Sequence, residues 1–215
     1  MRKGQGTDVI AESRRSDYDV TDTVLVSSAP DVRAAIEELF ARVWPGEKFP
    51  AFAHVFGDFE RMFSGRMPGY FGVDTVYHDQ QHTLDITLAT ARLIAGHELQ
   101  VPDAQKFGPE RAMLGIVVAL FHDVGYLRTT RDTEVPNGAE FTTVHVSRGA
   151  AFLRDYLRTQ ALDLFPPTEA ISLRDEDDLH DLYCWNDAPW QSRANVIQSL
   201  KAAATNYERV PAGAA

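Results

Sequence analysis

Apolar positions recur at helical spacing along most of the chain, and the polar breaks between them mark where helices begin and end. Ser28, followed by Pro30 and Asp31, reads as a helix start, since a hydroxyl can accept from a free amide and proline suits the first turn. Ile36, Leu39, Phe40 and Val43 then form one face before Pro45 and Gly46. A second helix is predicted over about 52–63, ending near Ser64 and Gly65, and the segment from Met67 to Val73 reads as a loop punctuated by Pro68, Gly69 and Gly72. From His82, the positions Leu84, Leu88, Ala91, Leu93 and Ile94 predict a helix to about Gly96.

Residues 110–121 are more uniformly apolar, and their length and setting between helical patterns favour a buried helix over a strand. Another helix is predicted over 141–157, carrying Val144, Ala151, Phe152, Tyr156 and Leu157. Pro166 and Pro167 interrupt the pattern, an acidic run including Asp175, Glu176, Asp177 and Asp178 follows, and one last amphipathic helix is expected over 194–207. The result is an all-α reading: a polar tail over 1–27 in which Val24, Leu25 and Val26 make at most a short ordered contact, a helical bundle over 28–165, and a divergent segment over 166–215.

A length of 215 residues with 44% apolar content is enough for one sizeable core. The formal charge is −10, with 21 Lys plus Arg scattered among 31 Asp plus Glu, which argues against a duplex nucleic-acid surface because that affinity rests on clustered cations. A small phosphorylated substrate stays compatible, since a bound divalent cation brings its own local positive charge. Cys184 is the single cysteine, so an internal disulfide framework and cysteine-rich zinc modules are excluded, and any metal ligands must be His, Asp or Glu. No stretch has signal-peptide character or approaches the ~18 apolar residues of a membrane span, so no membrane partner is expected and a cytoplasmic location is the default. A homodimer is left open.

Three groups carry chemistry. Tyr77-His78-Asp79-Gln80-Gln81-His82 places two histidines four residues apart, on one face if the segment is helical. Ala119-Leu120-Phe121-His122-Asp123-Val124-Gly125 ends an apolar helix in adjacent His and Asp, a costly placement unless those groups are paired or coordinated. His145 lies inside a further amphipathic pattern.

Tyr-His-Asp-x-x-His, an apolar helix, and Phe-His-Asp-x-Gly together resemble the HD superfamily of metal-dependent phosphohydrolases over about 50–157, and the first portion is similar to its cyclic-nucleotide phosphodiesterase branch. The resemblance implies an HD-like helical domain that hydrolyses a phosphoester, most readily a nucleotide or cyclic nucleotide phosphodiester. It implies His82, His122 and Asp123 as metal ligands, with Asp123 able to bridge to a second ion, and His145 as an additional ligand. His78 matches the histidine that protonates the departing oxygen, so His78 and Asp123 are the expected catalytic residues. One or two divalent ions are implied; imidazole and carboxylate donors suit Mn, Fe, Zn or Co better than Mg alone, and such ions can activate water and stabilise phosphoryl charge.

Arg128 and Arg131 follow the His-Asp pair and are candidates to meet a substrate phosphate, with solvent-facing loop charge as the plainer reading. Asn137 and Glu140 fit either water ordering or capping, and Arg148 fits either support of the site or a plain salt bridge. His54, His97 and His180 lack a supporting pattern. The HD pattern also calls for a late ligating Asp; Asp178, Asp181 and Asp187 are the acids there, none with apolar flanks. That keeps open a non-catalytic HD-type protein that binds a nucleotide or partner. A zinc peptidase ranks lower, because Asp79 stands where His-Glu-x-x-His has its Glu.

Overall fold

The computed structural model describes residues 16–160. It is all-α: helices α1 (Ala29–Val43), α2 (Ala51–Phe63), α3 (Gln80–Gln100), α4 (Gly108–Phe121) and α5 (His145–Gln160), joined by short 3₁₀ turns at Asp103–Gln105, Val124–Tyr126 and Gly138–Phe141. No strand forms among the described residues, where the only extended pairings are isolated bridges between Tyr18 and Leu25 and between Tyr70 and Thr129. None of the described helices is long and apolar enough to cross a membrane.

The helix starts follow local chemistry. Ser28 caps α1 by accepting from the Asp31 amide, and Asp79 caps α3 by accepting from the His82 amide at 2.8 Å. The first turn of α4 lacks a side-chain cap of its own, and Glu98 of α3 replaces it: its buried carboxylate accepts from Phe107 N at 2.6 Å and Gly108 N at 3.4 Å. His97 stacks flat on Phe107 beside it, with ring centroids 4.3 Å apart.

Helix α3 packs against both α1 and α4, α2 packs against α1 and α4, and α5 closes over the turn that follows α4. Phe40, Phe52, Phe59, Phe121, Leu84, Leu88, Ile116, Leu120 and Leu153 fill the centre and are almost wholly removed from water. At about 25 cal/mol per Å² of apolar surface, such side chains are the main stabilising term. A polar latch joins α2 to α5: the buried Asp58 carboxylate accepts from Tyr156 Oη at 2.9 Å, meets His54 Nε2 at 3.2 Å and pairs with Arg61. Burial and the Asp58 charge together push the Tyr156 phenol strongly upward, so it stays a donor.

Three boundaries differ from the sequence reading. Helix α3 passes through the buried Gly96 and runs to Gln100, stopping before Pro102; glycine weakens a helix by only about 1 kcal/mol, whereas proline removes a donor and disfavours helix in its predecessor. Phe141 lies in a separate 3₁₀ turn, and α5 starts at His145. Residues 16–27, read as tail, pack on the bundle. Val26 is fully buried in the core, and Asp19 collects the amides of Thr21, Thr23 and Val24, the Thr21 hydroxyl, and Arg92 of α3 at 2.7 Å. The helix expected over 194–207, the acidic run, His180, Cys184 and the late acids Asp178, Asp181 and Asp187 lie outside the described residues.

Candidate metal centre

The ends of two neighbouring helices bring the chemistry together. Asp79 turns the chain into α3, which leaves His78 just before the helix and puts His82 in its first turn. Thr75 Oγ1 donates to the His78 carbonyl at 2.8 Å and fixes that approach. The two histidines therefore meet through a cap rather than along one helical face. At the far end of α4, His122 is the capping residue, and Asp123 leaves the helix with φ −100° and ψ 7°.

Three imidazoles converge on one buried carboxylate oxygen. Asp123 Oδ2 lies 2.9 Å from His78 Nδ1, 3.0 Å from His122 Nε2 and 3.4 Å from His82 Nε2. His78, His82 and Asp123 form the tightest set, with donor atoms all within 4.8 Å of one another, and this group could hold a metal ion. His122 reaches the same oxygen without joining that mutual set, and its Nδ1 is 2.8 Å from the Ala119 carbonyl.

The His122 contacts define its chemistry. A carbonyl can only accept, so Nδ1 carries the proton that faces Ala119, and Nε2 is then a bare lone pair aimed at a carboxylate unless a proton or a cation sits on it. Burial pushes His122 down, but the hydrogen bond and charge of Asp123 outweigh it and raise its pKa above the usual histidine value. Burial likewise pushes Asp123 up, and the His122 and His78 contacts hold it below the usual carboxylate value. The pair favours positive charge at the point where the imidazoles meet.

Tyr126 stands beside this cluster. Its ring lies nearly parallel to His78, with centroids 4.2 Å apart at 19°, and to His145, 4.3 Å apart at 19°. His145 thus adjoins the cluster one aromatic ring away, with its Nδ1 donating to the Thr142 carbonyl at 2.7 Å. Tyr77 packs over His82 at 4.6 Å on the other side.

The turn carrying Asp123 and Tyr126 is held from a distance. Arg148 of α5 donates to the Gly125 and Leu127 carbonyls, both at 3.0 Å, reaches Asp132 Oδ2 at 3.2 Å, and lies over the Phe141 ring. Gly125 lets α5 sit directly on the turn: a Cβ there would stand 1.8 Å from the His145 carbonyl oxygen. Asp74 ties two further loops together, accepting from Arg128 Nε at 2.8 Å and from Gly138 N at 2.7 Å.

Of the two arginines proposed for phosphate, Arg128 is occupied by Asp74, by the Val135 carbonyl at 3.0 Å and by the face of Phe71. Arg131 is exposed and borders a cleft of about 650 Å³ between α2 and α5, whose walls include Met62, Tyr70, Phe152 and Tyr156 but none of the clustered histidines. Asn137 caps its 3₁₀ turn by accepting from Ala139 N at 3.0 Å. Sequence reasoning missed Tyr126, Asp74 and the grip of Arg148 on the turn. Tyr126 follows the Gly of the motif and Arg148 lies one helical turn after His145, and those positions were the only available signals.

Comparison with curated proteins and with solved structures gives no match. A family model does match, over residues 78–206, a span that opens at His78 and takes in His82, His122, Asp123, Tyr126 and His145. Because that span is more than half of the chain, the protein belongs to DUF6197, a family of unknown function.

Proposed function

We propose that this chain is a metal-dependent phosphohydrolase of the HD type, acting on a small phosphoester such as a nucleotide or cyclic nucleotide phosphodiester. The observation that carries the reading is the convergence of His78, His82 and His122 on Asp123 Oδ2, where the Nε2 lone pair of His122 faces the carboxylate and calls for a proton or a cation between them. Neutral imidazoles with one carboxylate are a donor set suited to Mn, Fe, Zn or Co. His82 and Asp123 would hold the ion, with His122 Nε2 directed at the same point, and His145 is near enough in the fold to serve a second ion.

A bound divalent cation would supply Lewis acidity toward water and phosphoryl oxygens. The chain's own contribution is orientation and proton handling. Asp123 accepts from His78 Nδ1–H and orients the ring; as the imidazolium, His78 would give its Nε2 proton to the departing oxygen and be left as the neutral Nδ1–H form. A peptidase reading loses support because Asp79, at the position of the zincin base, has its carboxylate on the His82 amide, and His78 lies outside the helix.

The test is metal analysis of protein purified without chelator, together with turnover of bis-p-nitrophenyl phosphate and nucleotide phosphoesters. Metal-dependent turnover is expected. His78→Ala should keep the metal and lose turnover by ~10²-fold or more, whereas loss of metal in that variant would make His78 a ligand. Metal without turnover of any phosphoester would replace the enzyme reading with a binding protein, and no metal would remove it.

A further inference from the structure

We infer that Tyr126 is the positioning residue of this centre, its ring setting the planes of both His78 and His145; the inference rests on the cluster being the working site. An imidazole held by one hydrogen bond keeps freedom about its last torsion, because terminal bonds to flat groups have broad wells. His78 needs a further restraint, since it precedes α3 and its side chain is 31% exposed. Tyr126 provides one. Each histidine ring makes 19° with it, the two histidine rings make 37° with each other, and so both fan out about the tyrosine plane.

The tyrosine itself is immobilised. It is 4% exposed, its N–H donates to the Asp123 carbonyl at 3.0 Å, and its hydroxyl meets Thr142, whose carbonyl holds His145. Arg148 grips the carbonyls on both sides of it, and Gly138 packs so closely on the Tyr126 carbonyl that a Cβ would stand 2.2 Å away. A buried ring whose backbone is held on both sides, whose hydroxyl meets Thr142, and which stacks on two more mobile rings transmits its orientation to them. Tyr126 touches both histidines, and its one hydrogen bond to Asp123 goes from its backbone N–H to the carbonyl and not to Oδ2, so its role is exerted through the histidine rings.

Two readouts separate this role from simple core filling. In chelator-treated full-length protein, the ring protons of His78 and His145, assigned with His78→Gln and His145→Gln, should resonate upfield of a free histidine because they lie over an aromatic face, and His97, stacked on Phe107, serves as the internal reference that Tyr126 variants leave in place. Tyr126→Phe should keep those shifts and Tyr126→Leu should lose them. In Co²⁺ titrations followed by absorption, Tyr126→Phe should match the native protein, while Tyr126→Leu should bind the second ion, the one His145 would serve, ~10- to 100-fold more weakly with an altered spectrum, the usual effect of losing a residue that orients a ligand.

Unshifted ring protons in the native protein overturn the proposal, and so does a folded Tyr126→Leu variant with native Co²⁺ affinity and spectrum. If Tyr126→Leu does not fold, the native and Tyr126→Phe shifts decide alone. Absence of Co²⁺ binding by the native protein, with the shifts as expected, would remove the phosphohydrolase reading and leave the ring positioning supported.

Discussion

His122 and Asp123 are neighbours in the chain whose side chains also meet, Nε2 to Oδ2 at 3.0 Å, while the other His122 nitrogen donates back to Ala119. On the proposed function, this geometry would make protons and a metal ion competitors for one lone pair. With its folded pKa raised, His122 stabilises the metal-free protein fully below its unfolded value of about 6.5, and that contribution is lost as pH rises through the folded value. Metal binding has the opposite trend, because it requires the neutral imidazole. Thermal stabilisation by added Mn²⁺ or Zn²⁺ should therefore be larger at about pH 8 than at about pH 6, and His82→Ala or Asp123→Ala should abolish it. A shift that does not depend on pH would count against His122 as the competing group.

Gly125 is required by proximity. Gly125→Ala places a methyl carbon where the His145 carbonyl oxygen already stands 1.8 Å away, so α5 must move off the turn. The expected cost is about 3 kcal/mol, the upper end of overpacking penalties, with loss of metal-induced stabilisation. Native denaturant midpoints and metal response in this variant would contradict the described packing.

Asp19 should act as a tether whose strength depends on pH. Burial pushes its carboxyl up, but the Thr21 hydroxyl, the Val24 and Thr23 amides and Arg92 outweigh that and hold it well below the usual carboxylate value. Its contribution is present above the unfolded value of about 3.9 and is lost as pH falls through the folded one. Asp19→Asn should cost roughly 2–4 kcal/mol near neutrality. Equilibrium unfolding at several pH values should show the gap from native protein narrowing only at strongly acid pH; a gap unchanged down to the acid limb would show that charge is not the cause.

Glu98 substitutes for the missing cap of α4. Glu98→Ala leaves the Phe107 and Gly108 amides without their buried acceptor and removes a negative charge from the helix start, at a cost of about 1–3 kcal/mol. Hydrogen exchange should localise the loss to the first turn of α4. Unchanged protection there would mean that Glu98 contributes little to capping.

Much of this arrangement was legible in the sequence where the cause is local. Ser28 and Asn137 cap where their side chains suggested, and the apolar run over 110–121 does end by presenting His122 and Asp123 together. Gly96 was misleading because its helix-breaking tendency is smaller than the effect of burying the helix around it. The supports of the site were hidden for a different reason. Asp74, Glu98, Arg128 and Arg148 are ordinary charged residues whose partners are chosen by tertiary approach, across as many as 64 positions for Asp74 and Gly138. Asp19 was hidden in the same way, since its Arg92 partner is 73 positions away. No pattern along the chain encodes those pairings.

The latch between Asp58 and Tyr156 spans 98 positions and is made by the last described helix. Arg148, on that same helix, holds the turn that carries Asp123 and Tyr126. During synthesis, therefore, every histidine of the cluster except His145 leaves the ribosome before the helix that fixes the Asp123 turn. A nascent chain arrested before Arg148 would display His78, His82, His122 and Asp123 without the clamp that shapes their meeting point. Assembly of the cluster is thus a late event of the chain's synthesis, set by when α5 is delivered and not by when His78, His82, His122 and Asp123 are made.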